Sequence, residues 1–117
     1  MGTSFIEYRG FGFWSRDSDI ESWITSVLER ITSLTTIEPW QMSLAEHWRV
    51  QAGIDGGCVS LELDKYLNDS AKRDFVIGRA EIALLSTTGP PRRTGELFIA
   101  LLAERLKTTA SSPIDYL

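Results

Sequence analysis

A stripe of hydrophobic residues at helical spacing is the clearest pattern along the chain. Between Asp19 and Ser33 the apolar positions recur every three to four residues, with polar residues between them. The members of the stripe are Ile20, Trp23, Ile24, Val27, Leu28 and Ile31. This 3.6-residue period predicts an amphipathic helix over Asp19–Ser33. Ser18 followed three residues later by Glu21 has capping-box spacing, which predicts that Ser18 caps this helix.

A second helix is predicted over Trp40–Ala52. Pro39 stands just before it, where a missing backbone N–H costs little, and Gly53 is a plausible stop. The predicted buried stripe is Trp40, Leu44, Ala45, Trp48 and Ala52.

Two more helices are predicted in the second half of the chain. The third covers Ala71–Ser86, capped by Asp69 or Ser70, and the fourth starts at Thr94. The residues expected to face inward are Phe75, Val76, Ile77, Ala80, Ala83, Leu84, Leu85, Leu97, Phe98, Leu101, Leu102 and Leu106. Gly78 is unfavourable inside a helix, so it predicts a close crossing with another helix.

Extended structure is predicted in two places. Residues 3–14 are rich in aromatic and β-branched side chains, and Gly10 and Gly12 allow a bend there. The second stretch, Val59–Asp64, alternates apolar and polar residues after the turn signal Asp55-Gly56-Gly57. We expect an extended segment there.

Length and composition place these elements in one domain. The chain has 117 residues, of which 43% are hydrophobic and 24% charged, values that suit a single globular core. We therefore predict a mainly α fold: about four helices in one compact domain over residues 1–117, with a short N-terminal extended segment or hairpin. Residues 1–3 and 108–117 are expected to fray.

Charge and cysteine content narrow the classes of function. The net charge of −4 disfavours binding to nucleic acid, and the longest apolar run is too short to span a membrane. A single cysteine, Cys58, excludes an intrachain disulfide, and the N-terminus does not resemble a signal peptide. Together these features favour a cytoplasmic location.

Candidate catalytic residues are few. His47 is the one histidine and Cys58 the one cysteine, and they do not form a zinc-ligand set. The glycine-rich stretches match neither the phosphate-loop nor the dinucleotide-binding pattern. We expect a protein that is not an enzyme and that uses no metal and no cofactor, with a small enzyme built on Cys58 or His47 as an alternative.

The N-terminal aromatic run allows two interpretations. Tyr8, Phe11, Phe13 and Trp14 are either core residues of a strand or anchors for a partner, since interfaces are enriched in such residues. The second interpretation includes a homo-oligomeric regulatory or adaptor module, such as a homodimer, that uses this segment as its interface.

The sequence also resembles small bacterial immunity proteins, the inhibitors paired with toxins of contact-dependent and polymorphic toxin systems. The resemblance rests on G-F-W-x-x-D-x-x-x-E-x-W at Gly12–Trp23, on Trp48–Ala52, and on Gly56–Val59 and Leu63-Asp64. It covers about the first two-thirds of the chain.

The resemblance implies a non-catalytic cytoplasmic protein that binds and occludes a cognate protein toxin. The gene for that toxin is then expected immediately upstream of the gene for this chain. A nuclease toxin would present a basic surface, which acidic side chains would complement. The residues predicted to contact the partner are Glu7, Tyr8, Trp14, Asp17, Asp19, Asp55, Glu62 and Asp64.

Overall fold

A β-hairpin begins the part of the chain that the computed structural model describes, residues 2–53 and 59–107. Its two antiparallel strands are β1 (Thr3–Tyr8) and β2 (Phe11–Arg16). The two-residue loop between them has positive φ at Arg9 (52°) and at Gly10 (86°), as a type I′ turn requires. The predicted N-terminal extended segment is therefore a hairpin.

Five helices follow within the described residues. They are α1 (Asp17–Thr32), α2 (Pro39–Ala52), α3 (Leu63–Tyr66), α4 (Ser70–Ser86) and α5 (Pro90–Leu102). The prediction of a mainly α fold is confirmed, and the helix it did not include is the four-residue α3. None of these five helices is long and apolar enough to cross a bilayer.

Helix α1 lies at the centre of the fold. It packs against α2, α4 and α5, and all six residues of its predicted stripe are buried. Trp23 of α1 and Trp48 of α2 both pack edge-on against Phe98 of α5, with ring centroids 5.8 Å and 6.0 Å apart. The buried residues of the helices and the hairpin form one cluster, and the radius of gyration of 13.1 Å fits one domain of this length.

The start of α1 differs from the prediction. The helix begins at Asp17, with Arg16 as its N-cap and no side-chain cap, so the predicted capping box of Ser18 and Glu21 is wrong. Strand β2 runs directly into the helix, and Ser18 is already inside the first turn. The observed capping box belongs to α2, where the carboxylate of Glu38 accepts from the backbone of Gln41 and the Gln41 side chain accepts from the backbone of Glu38.

The predicted start of α4 is confirmed, whereas the predicted start of α5 is wrong. The Asp69 carboxylate caps α4 by accepting from the backbone N–H of Lys72 at 2.8 Å, as predicted. Helix α5 begins at Pro90 rather than at Thr94. Its two prolines occupy the first turn, where a helix tolerates them because the backbone N–H groups there have no partner within the helix. Thr94 lies inside α5, and its buried hydroxyl is 2.8 Å from that of Ser15.

The close helix crossing is at Gly95, so its prediction at Gly78 is wrong. A Cβ on Gly95 would lie 2.6–2.9 Å from three ring atoms of Trp23, which means that α5 and α1 touch through this glycine. A Cβ on Gly78 would have no heavy atom within 4 Å. Leu85, predicted to widen the inner face of α4, is 84% exposed. The outer face of α4 therefore carries both Gly78 and Leu85.

The stretch Val59–Asp64 has the predicted alternation without being a strand. Val59, Leu61 and Leu63 are buried and the residues between them are exposed. The chain has no regular structure up to Glu62, and α3 begins at Leu63. Asp55-Gly56-Gly57, Cys58 and residues 108–117 lie outside the described residues, whereas Thr3 lies in β1 and the Gly2 carbonyl accepts from Asp17 N–H at 2.9 Å.

Candidate functional site

A groove of about 560 Å³ runs along the hairpin, between β1 and the stretch Val59–Lys65. Its size lies within the usual range for ligand-binding clefts. Phe5 and Trp14 contribute aromatic surface to the groove, with ring centroids 5.3 Å apart and half-buried side chains. Below we call this feature the hairpin groove.

Acidic side chains dominate the charge of the hairpin groove. Glu7, Glu62 and Asp64 line it, and Lys65 is the only basic residue among the described residues of its lining. All three carboxylates were predicted to contact a partner, as was Trp14. The fold therefore brings together four of the eight predicted contact residues, although they come from three separate parts of the sequence.

Ser4 holds the two sides of the hairpin groove together. Its buried hydroxyl donates to the Asp17 carboxylate at 2.6 Å and accepts from the backbone N–H of Val59 at 3.0 Å. Asp17, predicted to contact a partner, thus has a structural bond inside the chain. At the other end of the groove, the Asp64 carboxylate accepts from the backbone N–H of Arg9 at 2.9 Å.

Helix α2 fixes the outer wall of the groove through side chains that bond to backbone groups. The indole N–H of Trp48 donates to the carbonyl of Leu61 at 2.9 Å. The side-chain oxygen of Gln51 accepts from the backbone N–H of Ser60 at 2.8 Å. These bonds fix the backbone of the wall on either side of Ser60 and Leu61, next to Glu62, whose φ of 49° is in the left-handed region.

His47 also belongs to this wall. Its Nε2 lies 2.8 Å from the carbonyl oxygen of Ser60 and 3.2 Å from a carboxylate oxygen of Glu62. Because a carbonyl oxygen can only accept, Nε2 carries a hydrogen and donates it. The ring stacks at a tilt on Tyr66, with centroids 5.6 Å apart. Through these contacts His47 helps to position the groove wall. Cys58, the other candidate catalytic residue, lies outside the described residues.

The N-terminal aromatic residues divide between the two faces of the hairpin. Tyr8 and Phe13 are buried in the core, at 1% and 0% exposure. The Tyr8 hydroxyl donates to the carbonyl of Leu67 at 3.1 Å, and burial raises the pKa of this phenol above its usual value of 10. Tyr8 is therefore a core residue and, contrary to the prediction, offers no surface to a partner. Trp14 remains at the groove.

Asp19 lines a smaller cavity of about 290 Å³ at the C-terminal end of β2, which shares Trp14 with the hairpin groove. Arg16 and Arg93 line this cavity with Asp19, so its charge is mixed. Asp55 lies outside the described residues. Phe5 was not among the predicted contact residues, although its position two residues before Glu7 in a strand puts both side chains on one face.

Within residues 2–53 and 59–107, no group of three or more histidine, cysteine, aspartate or glutamate side chains is arranged to hold a metal ion. Among the same residues, the charged and aromatic side chains that line the hairpin groove are three carboxylates, one lysine and the rings of Phe5 and Trp14. Comparison of the chain with protein-family models, with curated proteins and with solved structures found no match.

Proposed function

We propose that this chain is a non-catalytic immunity protein that binds a cognate toxin and covers its active surface. One observation carries the proposal: the acidic residues Glu7, Glu62 and Asp64 line a single groove together with Trp14. The resemblance of the sequence to immunity proteins provides the class of partner.

The composition of the groove suits a basic protein partner. Carboxylates on the rim attract a positively charged surface, which accelerates association and selects against acidic partners. The half-buried rings of Phe5 and Trp14 offer apolar area of the kind that dominates binding energy at the centre of an interface. Occlusion of the toxin requires no reaction by this chain.

The first experiment is a pull-down from the native host with tagged protein, read by mass spectrometry at low and high salt. We expect a stoichiometric basic partner with a toxin domain, released as salt screens the interaction. The gene immediately upstream should encode it. Co-expression with that toxin should protect cells, which tests neutralisation separately from binding.

Charge variants then test whether the groove is the binding surface. Changing Glu7 and Glu62 to Gln and Asp64 to Asn removes three carboxylates from the groove. The matched control changes three exposed glutamates outside it, Glu29, Glu46 and Glu81, to Gln. We expect only the groove variant to lose partner binding and cell protection. Equal losses in both variants would contradict the assignment of the groove, and absence of any toxin-like partner would contradict the function.

A homo-oligomeric module is the second candidate, supported by the outer face of α4. Leu85 is 84% exposed and Ile82, one turn before it, is 37% exposed. Such side chains favour contact with another apolar surface. Sedimentation over a range of protein concentrations tests this candidate: a dimer that Leu85→Glu abolishes supports it, and a monomer at all concentrations rejects it.

A further inference from the structure

Within residues 2–53 and 59–107, the outer edge of β1 has backbone groups with no hydrogen-bond partner. The Asp17 N–H bonds to the Gly2 carbonyl, and the register pairs Thr3 with Arg16, so Gly2 and Asp17 form a hydrogen-bonded pair. Because such pairs alternate in an antiparallel ladder, Thr3, Phe5 and Glu7 point their N–H and C=O groups away from β2. No backbone hydrogen bond from the outer edge to the described residues across the groove is present.

This unpaired edge lies in the hairpin groove. Residues Thr3–Glu7 line the groove consecutively, as expected when the side of a strand, rather than one of its faces, forms the wall. The opposite wall, Val59–Lys65, bonds to Ser4 near the start of β1 and to Arg9 in the loop just after β1. Phe5 and Glu7 lie between these two bonds and Thr3 lies just before the first, and together the three outward-pointing residues present up to six hydrogen-bonding groups to whatever occupies the groove.

We propose that β1 receives an extended basic segment of the partner as an additional strand of the sheet. This inference rests on the proposed function, because it takes the partner to be a basic protein. Main-chain hydrogen bonds to Thr3, Phe5 and Glu7 would hold the segment, and the side chains of the groove would select its sequence. The β1 edge would then be paired only in the complex.

Charge identifies the occupant as a basic segment rather than a second copy of this chain. The strand that a second copy would add, Thr3–Tyr8, contains one charged residue, Glu7, and no lysine or arginine. It would bring a further carboxylate into a groove that already contains Glu7, Glu62 and Asp64. A lysine or arginine in an incoming strand meets these carboxylates with the opposite sign.

The alternation of side chains in a strand predicts the pattern of this segment. Phe5 and Glu7 lie on the same face of β1, two residues apart. The partner strand should therefore place an apolar residue beside Phe5 and a basic residue, two positions away, beside Glu7. About five residues suffice to span Thr3–Glu7 at ~3.4 Å per residue.

A synthetic peptide tests the inference without the native partner. The probe is a blocked peptide with the sequence Lys-Thr-Val-Thr-Lys-Thr-Val, added to the ¹⁵N-labelled full chain and followed by NMR. We expect slower amide hydrogen exchange at Thr3, Phe5 and Glu7, weaker binding at high salt, and no binding of the same peptide with Glu in place of Lys. Unchanged exchange at Phe5 and Glu7 with saturating peptide would overturn the inference.

N-methylation of the peptide separates strand pairing from attraction by charge alone. One version is methylated at alternate amides and the second at the remaining amides, so only one version blocks the edge that faces β1. We expect one version to bind about tenfold more weakly or worse, since it loses several hydrogen bonds, and the other to bind like the parent. Equal binding of both versions would show that the peptide is held by charge alone, which contradicts strand addition.

A proline variant provides the same test from the protein side. Thr3→Pro removes an outward-pointing N–H while leaving the bonds between β1 and β2 in place, and Thr3→Val is its matched control. Only Thr3→Pro should weaken binding of the parent peptide, the version without N-methylation. Circular dichroism of both variants establishes that the hairpin still folds.

The outcomes distinguish this inference from the proposed function. A toxin captured in the pull-down that leaves exchange at Phe5 and Glu7 unchanged would reject strand addition and keep the immunity function. If the peptide pairs with β1 but no toxin partner is found, strand addition is supported and the immunity function is rejected. Slow exchange at these amides that rises with protein concentration, without peptide, would identify a second copy as the occupant and overturn the assignment to a basic segment.

Discussion

Two glycines that both lie inside helices should respond to alanine with opposite signs. Gly95 of α5 faces the ring of Trp23, where an added Cβ would lie 2.6, 2.7 and 2.9 Å from three ring carbons. Gly78 of α4 faces open space, with no heavy atom within 4 Å of an added Cβ. We expect Gly95→Ala to destabilise the fold and Gly78→Ala to stabilise it.

The magnitude follows from two terms. Alanine is better than glycine in a helix interior by about 0.8–1.0 kcal/mol, and this gain applies to both positions. At Gly95 an added methyl group also overlaps Trp23, which is 1% exposed and packs edge-on against Phe98, so the ring has little room to move. Such overpacking costs about 1–3 kcal/mol. The free energies of unfolding of the two variants should therefore differ by about 1–3 kcal/mol, which is the overpacking term alone.

Urea denaturation followed by circular dichroism measures this difference. The midpoint should fall for Gly95→Ala and rise for Gly78→Ala, with slopes equal to that of the wild-type chain if the denatured state is unchanged. Equal stabilisation by both substitutions would refute the reasoning, because it would mean that Trp23 does not press against Gly95. The second variant also tests whether the outer face of α4 is open.

Other predictions concern polar groups. Tyr8→Phe should cost about 1 kcal/mol by removing the bond to the Leu67 carbonyl. Because burial raises the pKa of Tyr8, its contribution to stability is fully present below pH ~10 and is lost as the pH rises through the folded-state value, so pH titration of unfolding should show a smaller alkaline loss for the variant. Thr94→Val leaves the buried Ser15 hydroxyl unpaired and should cost about 1–3 kcal/mol, while the double variant with Ser15→Ala should cost less than the sum in a double-mutant cycle. Glu104→Gln breaks two exposed ion pairs and should cost less than about 1 kcal/mol, with no effect at about 1 M salt.

The candidate site was predictable only in its chemistry. Acidic residues in loops and extended segments were identified from charge and the resemblance, and Glu7, Glu62, Asp64 and Trp14 do line one groove. Their convergence depends on contacts between distant parts of the chain, above all the bonds of Ser4 to Asp17 and Val59. Such contacts leave no local pattern, since a buried serine in a strand has the same neighbours in sequence as an exposed one.

The same limit explains the errors at helix ends and glycines. Ser18 has the spacing of a cap, but strand β2 leads into α1 two residues earlier than that spacing implies, with the helix starting at Asp17. Gly78 and Gly95 both stand inside helices, and only the neighbouring helix distinguishes a close crossing from an open face. Local spacing therefore locates helices well and their neighbours poorly.

The sequence by itself determined most of the elements. The amphipathic stripe of α1, the bend that Gly10 allows between the strands and the mainly α composition follow from periodicity, glycine placement and side-chain propensities, which act over a few residues. The tertiary structure decided which surfaces meet. It buried Tyr8, left Leu85 in solvent and set the wall of Val59–Lys65 beside the outer edge of β1. The physical reason is that burial and hydrogen bonding are shared between segments far apart in the chain, so each depends on a partner that local sequence does not specify.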